Sequence, residues 1–157
     1  MASTEEGWGE LLGEEDLVVW AEGKLTPVPV QEVLANKQFV GLYFSAHWCP
    51  PCRGFTPLLV DTYNELLQQQ QTAGQGGFQV IFVSSDRDAG AMGAYMRDAA
   101  MPWPALPFGD PRVAALKAKF QVSSIPTLVI LNGEGKLVTR DGRAAVLKSG
   151  PGAFGKW

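Results

Sequence analysis

Cysteine and histidine are scarce in this chain: Cys49, Cys52 and the single His47 are its whole supply among 157 residues. A structural zinc site takes four ligands, which two thiols and one crowded imidazole do not provide, so no metal is expected. Clusters of lysine and arginine are missing as well, and the formal net charge of -3 argues against nucleic acid or an anionic membrane surface as a partner. No apolar run approaches the roughly 20 residues that span a bilayer, so no membrane helix is expected. Residues 1–13 are acidic and polar and lack the apolar stretch of a secretory signal. These absences predict a chain of a reducing intracellular compartment, cytoplasmic first and nuclear second, whose partners are proteins or small thiols. A permanent disulfide is disfavoured there and a transient one is allowed.

What is present is an ordinary globular composition, 46% hydrophobic and 18% charged, enough for one domain with a sizeable core. The expected limits are an acidic N-terminal segment over 1–16, one domain over 17–150 and a tail over 151–157. Residues 17–20 and 25–30 read as two strands about Gly23, with Pro27 and Pro29 keeping the second at an edge. Residues 30–34 are a helical turn, and the apolar run 39–44 is a buried strand that delivers the chain to Trp48 and Cys49. From residue 50 to about 71, Phe55, Leu58, Leu59, Tyr63, Leu66 and Leu67 recur at helical spacing, with Pro57 as a kink and 68–77 as a polar linker.

A second buried strand over 78–83 runs into Asp86 and Asp88, good caps for a helix over 89–99. Prolines leave 101–108 irregular, 111–120 is another helix, and 127–131 with 136–139 form a hairpin about the turn 132–135. This α/β order predicts a central mixed sheet flanked by helices, preceded by an N-terminal β-hairpin and followed by a tail.

The two cysteines therefore fall where a strand ends and a helix begins. Cys49 faces the positive end of the helix dipole, which favours its thiolate. Lowering a thiol pKa from about 8.5 to about 7 speeds attack only a few-fold, because nucleophilicity falls with basicity. Proximity counts for more: Cys52, one turn along, can attack a mixed disulfide intramolecularly. Cys49 is thus the attacking thiol and Cys52 the resolving one. Pro50 and Pro51 take the first two helical positions without an N–H, leaving the Cys52 amide as the first backbone donor toward the Cys49 sulfur. Two plainer readings stand beside this: a structural disulfide, worth about 2 kcal/mol for so short a loop, and inert buried thiols packed as small hydrophobes.

Over residues 43–57, around Trp48-Cys49-Pro50-Pro51-Cys52, and again at 83–86, 101–103, 107–108 and 124–127, the chain resembles the nucleoredoxin and tryparedoxin branch of the thioredoxin superfamily. The resemblance runs from about residue 39 to 147. It implies a thioredoxin-like α/β fold and thiol-disulfide oxidoreductase activity with no bound cofactor, electrons coming from an external dithiol or reductase donor. It implies Cys49 as nucleophile, Cys52 as resolving thiol, Trp48 beside the site and Pro126 as a cis-proline facing the disulfide. Ile125 would then offer its N–H and C=O to an extended substrate strand.

Where thioredoxins carry a buried aspartate this chain has Tyr43, which leaves the Cys52 proton to another group. Asp86, Asp88 and His47 are the acid–base candidates, against readings as helix caps and loop surface. Arg53 either steadies a thiolate or faces water, and Trp48 and Trp103 either pack or form a contact surface. Arg140 and Arg143 either meet an acidic substrate group or sit on a solvated face. The expected protein is a monomeric protein-disulfide reductase acting on disulfide-containing proteins in redox homeostasis and antioxidant defence. The alternative is a redox-sensing module for protein binding and signalling.

Overall fold

The computed structural model describes residues 5–73 and 77–157. A π-helical turn (Glu5–Gly9) precedes a hairpin of β1 (Leu17–Ala21) and β2 (Lys24–Val28), whose turn places Gly23 at φ 78°, a left-handed conformation that glycine reaches without a Cβ clash. Helix α1 (Val30–Leu34) leads into β3 (Lys37–Ser45), and α2 (Pro50–Ala73) and β4 (Gly77–Ser84) follow. Next come α3 (Ala89–Asp98), α4 (Pro111–Lys119), β5 (Thr127–Asn132), β6 (Leu137–Thr139), α5 (Gly142–Ser149) and a 3-10 helix (Gly150–Lys156).

The main sheet has the order β4-β3-β5-β6, with β3 parallel to β4 and antiparallel to β5. It is mixed, as the element order predicts. Because both faces are covered, β3 is an unbroken buried run from Phe39 onward instead of an alternating one. Phe39, Tyr43, Phe78, Phe82 and Leu128 meet Phe55, Leu59 and Tyr63 of α2 and Met92 and Tyr95 of α3 on one face. On the other, Val40, Leu42, Ile81 and Val129 meet Val30 and Val33 of α1 and Leu116 of α4.

The hairpin joins this sheet through a single residue. Ala105 exchanges backbone hydrogen bonds with Val18 at 2.9 and 2.7 Å, while Phe82 of β4 bonds Pro104 and Leu106 on either side of it at 2.9 and 3.0 Å. The proline-rich stretch 101–108 is irregular, yet it covers the edge of β4.

Three expectations need correction. Residues 68–73 do not form a linker but continue α2, since glutamine is a good helix former and a polar composition does not by itself end a helix. Residues 74–76 of that expected linker lie outside the described residues. Pro57 stands inside α2, within the helix where the sequence places it, and is not among these corrections.

The stretch after the hairpin is not a plain tail: it folds as α5 and the 3-10 helix, and Phe154 and Trp157 set their rings 5.3 and 6.0 Å from Phe39. Nor does packing stop at residue 17, for Trp8, Leu11 and Leu12 are buried with Leu17 and Val30, and the Trp8 indole donates to Gly133 O at 3.1 Å. Each such side chain contributes about 1.5–3 kcal/mol when buried, enough to outweigh its acidic neighbours.

One guanidinium ties this N-terminal segment down. Arg112 donates to the carbonyls of Leu12, Glu15 and Asp16 at 2.8–2.9 Å and pairs with Asp110 at 2.8 Å. Asp110 also caps α4, and its hydrogen bonds with Arg112 hold its carboxyl below the ordinary value. A depressed carboxyl stabilises the fold above its unfolded pKa of about 4, and the contribution is lost as pH falls through the lower folded value. Thermal unfolding between pH 2 and 7 should therefore show the advantage of the native chain over Asp110→Asn shrinking below about pH 4. A gap constant with pH would contradict this account.

Candidate active site

β3 ends at Ser45, and a short loop brings the chain to Cys49 immediately before α2. Cys49 and Cys52 are joined as a disulfide with their Cα atoms 5.2 Å apart. Cys49 is 4% exposed and Cys52 fully buried, so a partner meets Cys49 first. The Cys52 N–H donates to the Cys49 Sγ at 3.3 Å, the donor left after Pro50 and Pro51. Across from it, the Ile125–Pro126 peptide bond is cis, Pro126 is buried and Ile125 O lies 3.9 Å from the Cys49 Sγ. Half-buried Ile125 packs against Ala46 and both cysteines.

Trp48 is 50% exposed, yet its indole N–H donates to Ser85 O at 3.0 Å, so an apolar surface is held in place beside the disulfide. Trp103 is core, with its ring edge-on to Tyr43 and Tyr63. Asp86 does not cap α3. It is buried, accepting the His47 amide at 2.8 Å on one oxygen and the Ser84 hydroxyl at 2.7 Å on the other.

Asp88 is the cap, accepting from Ala91 N at 2.7 Å. The His47 ring stacks on Tyr95 with centroids 5.0 Å apart, and its carbonyl accepts from Arg53 Nη1 at 2.8 Å. With Ser85 N donating to Ser45 O at 2.9 Å, the loop before Cys49 is fastened to both β4 and α2. Asp86, Asp88, His47, Trp48 and Arg53 share one shallow cleft of about 310 Å³. Arg140 borders a different cavity with Glu10 and Lys119, and Arg143 lies in the first turn of α5.

Sequence reasoning missed a buried hydroxyl network under the first turns of α2. Thr56 Oγ1 donates its one hydrogen to Cys52 O at 2.9 Å. The Tyr43 and Tyr95 hydroxyls, 2.6 and 2.7 Å from Thr56 Oγ1, must then donate to it, and Ser45 in turn donates to Tyr95 at 2.8 Å. Burial pushes the Tyr43 hydroxyl well above the ordinary tyrosine range, so the network is uncharged. The available signal was Thr56, a polar residue one helical turn after Cys52 on the apolar stripe. Among the described residues no group of three or more His, Cys, Asp or Glu side chains is arranged to hold a metal, and no helix is long and apolar enough to cross a membrane.

A profile of the family described as Thioredoxin-like matches residues 36–137. Probable nucleoredoxin 3 of Oryza sativa subsp. japonica is 43% identical over 147 residues, 92% of this chain and 29% of that protein. Probable nucleoredoxin 1 of Arabidopsis thaliana is 46% identical over 113 residues, 72% of this chain and 18% of that protein. The chain thus spans less than a third of the length of these curated relatives. Native tryparedoxin I from Crithidia fasciculata superposes with a TM-score of 0.76 at 36% identity, covering 96% of this chain and 94% of that one. With the paired thiols at the start of α2 and this sheet order, the chain belongs to the Thioredoxin-like family, in its nucleoredoxin and tryparedoxin branch.

Proposed function

We propose that the chain is a protein-disulfide reductase working by thiol-disulfide exchange. The observation that carries this reading is the asymmetric pair: a rim sulfur, Cys49, receiving the Cys52 amide, and a fully buried Cys52 behind it. In the reduced form the Cys49 thiolate attacks a substrate disulfide, forming a mixed disulfide and expelling one substrate thiolate. Cys52 gives up its proton, through water, to the thiolate expelled first and attacks the Cys49 sulfur, which releases the second substrate thiolate to take up the proton that Cys49 shed on ionising and closes Cys49–Cys52. Two electrons and two protons have passed to the substrate, and an external dithiol or reductase donor returns the pair to the thiol form.

Substrate is received by Trp48, Ile125 and Pro126, with the Ile125 backbone pairing an extended segment. Asp86, His47 and Asp88 enter as holders of the loop and of α3, since both Asp86 oxygens and the Asp88 carboxylate already accept hydrogen bonds. No bound cofactor takes part. The reading is of a cytoplasmic monomer serving redox homeostasis. Insulin reduction by dithiothreitol, followed by turbidity, should accelerate over many turnovers per chain. No acceleration over dithiothreitol alone, together with partner binding that Cys49→Ser leaves unchanged, would mark a binding module instead.

A further inference from the structure

Lys117 is tied through Ser85 to the Trp48 ring beside Cys49, and among the described residues it has no ion-pair partner. It sits in the last turn of α4, half-buried, and its ammonium donates to Ser85 Oγ at 2.7 Å. The carbonyl of the same Ser85 accepts the Trp48 indole N–H at 3.0 Å. One residue therefore anchors both the ammonium and the exposed ring next to Cys49. The ion pairs among the described residues are Arg97–Asp98 and Arg112–Asp110, and neither involves Lys117.

Lys117, Ser85, Leu106, Phe108 and Val113 line a cavity of about 440 Å³. Two carboxylates border it: Asp86 is engaged by the His47 amide and Ser84, and Asp110 by Arg112. An ammonium has three donors, so with Ser85 satisfied two remain for a ligand. Phe108, 42% exposed, and Trp48 supply apolar surface at the same cavity and beside it. The cavity thus has apolar walls and a fixed positive charge, and it is tied through Ser85 to Trp48, the residue next to Cys49.

We infer that Lys117 sets substrate preference by pairing with a carboxylate side chain of the disulfide-bearing protein lying across Trp48. The inference rests on the reductase reading and deepens it. A half-buried charge-assisted hydrogen bond should favour an acidic over a neutral substrate about three- to tenfold.

The test compares peptide disulfides carrying either Glu or Gln at the four positions on each side of the attacked cysteine. Expected is a Glu-over-Gln ratio in kcat/KM of about three to ten, expressed in KM and shrinking as salt rises. Lys117→Gln should bring the ratio to one, and Lys117→Glu should reverse it. Reduction of uncharged 2-hydroxyethyl disulfide should be unchanged in both variants.

A ratio of one in the native chain, or one that survives Lys117→Gln, overturns the inference. Failure to reduce 2-hydroxyethyl disulfide would remove the reductase reading instead. The preference is then read as the ratio of dissociation constants for the same peptides with serine in place of cysteine, which must still favour Glu.

Discussion

Cys49→Ser abolishes insulin reduction, bringing it down to the rate of the reductant alone, whereas Cys52→Ser performs the first exchange and stops there. The reason is geometric as much as chemical. Cys49 is the sulfur at the rim, and Cys52 lies fully buried one turn behind it, so an incoming disulfide reaches only the first. An alcohol at position 49 has no anion comparable to a thiolate near neutral pH.

With serine at position 52 the mixed disulfide loses its intramolecular exit, an advantage worth up to about 7–11 kcal/mol in well-oriented systems, and accumulates. Mass spectrometry after mixing Cys52→Ser with a disulfide substrate should find a one-to-one adduct on Cys49. If it collects no more partners than Cys49→Ser/Cys52→Ser, the assignment of roles is wrong.

Thr56→Val, nearly isosteric, should destabilise the fold by about 2–5 kcal/mol, while Thr56→Ser should cost about 1 kcal/mol. Thr56 accepts from Tyr43 and Tyr95 and donates to Cys52 O, so valine removes three buried hydrogen bonds at once and leaves Tyr95 with Ser45 alone. Serine keeps the oxygen and gives up only a methyl group. Against a typical total of about 5–15 kcal/mol, the valine effect is large.

Urea unfolding of the two variants measures the difference, and equal midpoints would show that the network contributes little. The network also governs the alkaline side. Tyr43 is held protonated above its unfolded pKa of about 10, so its contribution is present below that pH and is lost as pH rises through the raised folded value. Tyr43→Phe should flatten that decline.

The residues that sequence reading placed well are those whose neighbours in the chain already state their environment. β3, β4 and β5 are apolar runs because helices cover both faces, and the Cys49–Cys52 pair is defined by the prolines between its members. Asp86 fits the local pattern of a cap as well as Asp88, two residues on, which is the cap. The actual partner of Asp86, the His47 amide, lies 39 residues away and leaves no periodic trace.

Trp8, Leu11 and Leu12 were passed over because acidic neighbours dilute their stripe, although burial depends on the three apolar side chains alone. The hydroxyl network escaped for a related reason: Tyr43 looks apolar in a strand and Thr56 looks neutral in a helix. Only folding brings them within 2.6 Å.

The hairpin has a bearing on solubility. Its anchorage through Ala105 leaves β2 and β6 as the outermost strands, places where a second chain could add a strand of its own. Pro27 puts a residue without an N–H into β2, and β6 is three residues long. Neither offers a full ladder, so crowded copies of this protein have little template for joining edge to edge into aggregates.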